Sequence, residues 1–150
     1  MKKSDRVQAF MAALDSDSNG DRHPAYGGYF TCFNQGDYYE AHDVLEQLWL
    51  ETTGPDWTYY KGLIQLAGAF VHLRHQYRHP AHRIHGRRLP PAARLFDLAT
   101  KNLTPFAPRH LGFDVNSALW LSHDRATAIR QSDYSLNPWS PNDLPQLSLR

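Results

Sequence analysis

The sequence predicts an all-α protein: a compact helical bundle in which an apolar central helix, about residues 57–75, is surrounded by other helices. Three observations carry this expectation. Apolar residues recur at helical spacing in segments bounded by Gly, Pro and capping residues. No stretch alternates apolar and polar residues as a half-buried strand would. One segment, WTYYKGLIQLAGAFVHL (residues 57–73), is apolar almost all round, as a helix enclosed by others must be.

The elements follow in order. A first short helix fits Asp5–Leu14, with Ser4 as its cap, and the loop DSDSNGD ends it. Pro24 opens a second helix through Tyr29, Phe30 and Phe33, and Gly36 closes it at the C′ position. Asp37 caps the third helix and forms with Glu40 a capping box in which Asp takes the Ser/Thr role. Gly54-Pro55 stops that helix, and Asp56 caps the long central one. The stretch RHQYRHPAHRIHGRRL, residues 74–89, reads as a basic, His-rich connector. Pro90-Pro91 then open a helix with Ala92, Leu95, Phe96, Ala99 and Leu103 on its inner stripe. After the turn TPFAPRHLGFD a last helix fits Val115–Gln131, capped by Asp114 or Asn116. Residues 1–132 thus form a single helical domain, and the Pro-rich residues 133–150 are an extended or disordered tail.

Composition narrows the class further. The 150 residues are 41% hydrophobic and include four Trp, too apolar for a disordered chain. No apolar run approaches the roughly 18 residues that span a bilayer, so no membrane partner is expected. The start, MKKSDRVQAFMAALDSD, places Asp5 and Arg6 inside its short apolar stretch, unlike a signal peptide. The single cysteine, Cys32, allows no internal disulfide and points to a cytoplasmic, reducing location. Its neighbours supply no activating charge, which makes it a small buried hydrophobe rather than a nucleophile. Charge is segregated: residues 1–60 carry a balance of −6 and residues 61–110 a balance of +8, within a net charge of +1. Such a split steers anionic partners or lets the two halves attract each other.

The candidate site begins in DYYEAHDVLEQLW, residues 37–49. Tyr38, Leu45 and Trp49 mark an apolar helix stripe, and His42 and Glu46 fall inside it one turn apart. A buried, charge-capable pair needs partners. The central helix offers Gln65 and His72, on a face otherwise made of Gly62, Gly68 and Ala69. The expectation is a hairpin of the two helices in which His42, Glu46, Gln65 and His72 meet. As a metal site, His42, Glu46 and His72 would suit zinc, with a position left for water. Acid–base chemistry at Glu46 lacks a nucleophile or oxyanion hole, so the chain reads as a binding or structural protein rather than an enzyme. The preferred reading of the quartet is a hydrogen-bond network that fixes helix register, with metal or small-ligand binding next. A separate reading gives Arg74, Arg78, Arg83, Arg87 and Arg88, among four histidines and no acid, to anion or nucleic-acid binding. A solvated loop is preferred there, nucleic acid is the weaker partner, and homo-oligomerisation stays open.

FNQGDYYEAHDVLEQLW (residues 33–49) followed by YKGLIQLAGAFVHL (residues 60–73) resembles a small bacterial and archaeal helical family called domain of unknown function 309. The shared pattern falls on Phe33, Asn34, Gly36, Tyr38, Glu40, Ala41, His42, Leu45, Glu46 and Trp49, then Gly62 to Gln65, Ala67 and His72. Weaker agreement occurs at Leu103-Thr104-Pro105 and Gly112-Phe113-Asp114. The resemblance implies a helical bundle around a central helix and supplies no activity. After His72 the family has a short Gly- or Asn-containing turn and a Gly-Ala step, so a role for the longer connector would be peculiar to this chain.

Overall fold

The computed structural model describes residues 23–83 and 86–150, and among these the chain forms five α-helices. The expected helix Asp5–Leu14 and its Ser4 cap lie outside the described residues, as does His85 of the connector. Helix α1, Pro24–Asn34, starts on its proline and ends where Gly36 adopts φ +82°, the left-handed position that only glycine takes without cost. Helix α2 is Tyr38–Glu51, and Gly54, at φ +88°, turns the chain into α3, Asp56–Arg78. Helix α4 is Leu89–Leu103, opened by its prolines, and α5 is Val115–Gln131.

Helix α3 is the centre. Its Tyr59, Leu63, Leu66, Ala67, Ala69, Phe70 and Leu73 have no exposure at all. The Phe70 ring meets Phe33 of α1, Tyr38 of α2 and Phe96 of α4 at centroid distances of 5.3, 5.1 and 5.3 Å. Tyr29 of α1 donates its hydroxyl to the Leu63 carbonyl at 2.6 Å, and Tyr26 and Tyr59 share a hydrogen bond of the same length. Each large ring contributes on the order of 2 kcal/mol through burial.

Three sequence expectations change. Helix α3 begins at Asp56 itself, with Pro55 in the cap position, and runs on to Arg78 instead of breaking near His75. His75 and Arg78 sit in its last turn, where cationic groups suit the negative end of the helix dipole. The Asp37 side chain makes no cap hydrogen bond, so the expected capping box does not form. Between α4 and α5, a 3-10 turn at Thr104–Phe106 leads into a small antiparallel ladder, β1 (Arg109–His110) with β2 (Phe113–Asp114). Leu111 and Gly112, at φ +47° and +77°, make its two-residue turn. Strands of two residues are too short to show a period.

The small-residue face of α3 meets α4 rather than α2. A Cβ at Gly62 would lie 2.8 Å from Leu103 Cγ and 3.2 Å from Asn102 Cβ. Further along, Gly68 faces Leu95 and His72 faces Arg88, so the two helices run antiparallel in close contact. Gly68 also leaves room for the His42 ring, whose Cδ2 would be 3.9 Å from an added Cβ. On the outer side of α4, Arg130 of α5 makes a two-pronged ion pair with Asp97.

Residues 133–150 run extended across the helices. The Trp139 indole N–H donates to the Tyr38 hydroxyl at 2.9 Å, and Asn137 donates to the Leu73 carbonyl. The Asn34 amide grips the backbone of Leu147 in both directions, donating to its carbonyl at 2.9 Å and accepting its N–H at 2.7 Å. Leu144 packs on Gly36, where an added Cβ would lie 3.3 Å away, and Leu149 bridges to Phe113. Trp139 and Leu147 belong to the core. No helix among the described residues is long and apolar enough to cross a membrane.

The contact at Gly62 yields a paired prediction. Gly62→Ala gains about 1 kcal/mol of helix propensity but forces Leu103 and Asn102 apart, for a net loss on the order of 1–2 kcal/mol. Gly27→Ala, on α1 with nothing within 4 Å of the new methyl, is neutral or stabilising. Urea unfolding of both variants checks the difference.

Candidate functional site

Helix α2 carries the site because its second turn rises from the Gly36 break. His42 and Asp43 stand on that turn and Glu46 one turn on, and their ligand atoms all lie within 4.8 Å of one another. His42 Nδ1 is 3.3 Å from Asp43 Oδ1 and 3.6 Å from Glu46 Oε2. Asp43 is only 1% exposed, while the His42 and Glu46 side chains are 34% and 26% exposed. The group is therefore a buried carboxylate beneath a rim that solvent reaches.

The structure brings together two members of the expected quartet and assigns the other two elsewhere. Gln65 Oε1 accepts from Asn102 Nδ2 at 2.7 Å, across the α3–α4 contact. His72 Nδ1 faces Arg88 Nη1 at 3.2 Å. Both residues lie on the face that turns to α4, which is why they bond there instead of converging with His42 and Glu46. His72 is therefore apart from the expected metal set, and the ligand-type group that stands beside His42 and Glu46 is Asp43. Sequence reasoning passed over Asp43 because a helical wheel places it about 100° from His42, off the apolar stripe. The available signal was an acid directly beside a histidine already singled out.

His72 is a structural histidine. An arginine N–H aimed at Nδ1 requires that nitrogen to be the acceptor, so the proton sits on Nε2 and the ring is neutral. Burial, then the Arg88 charge, then His75 and Arg94 lower its pKa to about 4.

The five arginines also separate. Arg74 donates to the Gly36 carbonyl at 3.0 Å and braces the end of α1. Arg88 bonds His72, and its backbone N–H donates to Gln76 Oε1 at 2.8 Å. Arg78 closes α3, and Arg83 and Arg87 are exposed on the following loop. They do not form a single basic patch on one loop. Cys32 is buried, and desolvation, with Asp37 and Glu40 nearby, pushes its thiol up to about 12, which removes it as a nucleophile.

The lowered pKa of His72 gives stability a pH dependence of definite sign. In the unfolded chain the ring takes up a proton near the ordinary value of 6.5, but the folded chain resists until about 4. Its contribution is full above pH 6.5 and is lost as pH falls from 6.5 toward 4. Urea midpoints compared at pH 7 and pH 4.5 should show that loss in the parent chain and less of it in His72→Gln.

No curated protein and no solved structure matches the chain. The family model described as Domain of unknown function (DUF309) matches residues 27–84, the stretch that contains α2, α3 and most of α1. The matched stretch contains His42, Asp43 and Glu46, supports a relation to that family and agrees with the motif read from the sequence.

Proposed function

We propose that the chain is a metal-binding helical protein that holds one divalent transition ion on His42, Asp43 and Glu46. The observation that carries this reading is the separation of the donors. Ions with ligand distances of 2.0–2.2 Å place adjacent donors about 3–3.5 Å apart. His42 Nδ1 stands at 3.3 and 3.6 Å from the two carboxylates, so a small closure of the rim side chains completes the set. One imidazole and two carboxylates suit zinc, manganese or ferrous iron, and the solvent-reached rim leaves room for water or a ligand on the ion. The single buried Cys32 supports a reducing compartment such as the cytoplasm.

Zinc titration of chelator-treated protein tests the proposal. The parent chain should bind one equivalent, with affinity falling at least roughly tenfold in Glu46→Gln and in Asp43→Asn. His72→Gln should leave binding unchanged. Glu46 sits at the rim, so its variant remains decisive if the buried Asp43 variant unfolds. Failure of the parent to bind, or binding that survives Glu46→Gln and disappears when His79 and His82 are replaced, would remove the proposal.

A further inference from the structure

A cleft of about 260 Å³ lies between the start of α2 and the end of α3, lined by Tyr38, Tyr39, Glu40, Val71, Arg74, His75 and Arg78. Among the described residues the Arg74 guanidinium bonds the neutral Gly36 carbonyl, which fixes its position without neutralising it. Arg78 and Glu40 have no hydrogen bond or ion pair among the described residues. Tyr38, without exposure of its own, accepts the Trp139 indole N–H and forms part of the cleft wall.

Two guanidinium groups at one small cleft are complementary to an oxyanion, because Arg pairs with carboxylates in planar, charge-assisted bonds. A plain anion would nonetheless meet the Glu40 carboxylate. A ligand that also carries an ammonium group satisfies that acid, and Val71 with the Tyr38 and Tyr39 rings offers it an apolar wall. From the arrangement of Arg74, Arg78, Glu40 and Tyr38 around this cleft, we infer a binding site for a small zwitterion with an apolar body, of the α-amino acid class. Arg74 and Arg78 receive the carboxylate and Glu40 the ammonium. Of the five basic-segment arginines, these two alone line the cleft, and Arg83, Arg87 and Arg88 take no part.

Calorimetric titration of the full chain at fixed ionic strength, with L-phenylalanine, 3-phenylpropanoate and phenethylamine as probes, tests this. L-phenylalanine should bind at least about tenfold more tightly than either one-charge probe. Arg78→Ser should abolish its advantage over phenethylamine, and Glu40→Gln its advantage over 3-phenylpropanoate. Arg78 is exposed at a helix end and Glu40 is half-buried, so neither variant opens the core. Arg83→Ser, outside the cleft, should change nothing. The inference is overturned if L-phenylalanine gives no binding up to roughly 10 mM. It is equally overturned if 3-phenylpropanoate binds as well as L-phenylalanine, or if Arg83→Ser matches Arg78→Ser.

Discussion

The close antiparallel contact of α3 with α4 decides where the polar side chains Gln65 and His72 go. Gly62 allows Leu103 and Asn102 to sit where a side chain would otherwise be, and Gly68 leaves space for Leu95 on one side and the His42 ring on the other. Once the helices are that close, Gln65 and His72 are committed to Asn102 and Arg88. Both bonds satisfy groups that would otherwise be costly to bury. What remains on α2 is a separate group, His42 with Asp43 and Glu46, reached by solvent from one side. The contact thus separates a register-fixing polar seam from a functional candidate that the linear sequence had merged with it.

Much of this was legible in the sequence. The helix bounds set by Pro24, Gly36, Gly54 and Pro90-Pro91 hold in the structure, and so does the enclosure of the 57–73 segment. The motif placed His42 and Glu46 correctly on one helix face. Its small-residue stripe was recognised as the seat of a close neighbour, but such a stripe says that a helix approaches and not which one. The nearer helix in sequence, α2, was the natural choice. The identity of the true neighbour depends on chain paths through α4 that no local pattern encodes. Asp43 was missed for a related reason: its burial comes from tertiary packing, while its wheel position alone suggests solvent.

Asn34 shows the same limit. In the sequence it stands two residues before the helix-ending Gly36 and carries no sign of a distant partner. In the structure its amide imitates a strand backbone, holding Leu147 more than a hundred residues away. Gly36 and Tyr38, two residues and four residues on, receive Leu144 and Trp139 of the same extended segment. Three motif positions therefore serve a segment that lies outside the DUF309 match. The tail's lack of periodicity reflects this: its hydrogen bonds go to scattered side chains instead of a ladder.

The functional account stands or falls on which histidine meets a metal. Histidine-side-chain nitrogen NMR of the full chain, recorded with and without one equivalent of zinc, reads this directly. Zinc held on His42, Asp43 and Glu46 should shift the Nδ1 resonance of His42 alone, while His72 keeps its proton on Nε2 and its signals unmoved. Movement of His72, His79 or His82 in place of His42, or a spectrum that zinc leaves unchanged, would contradict that assignment.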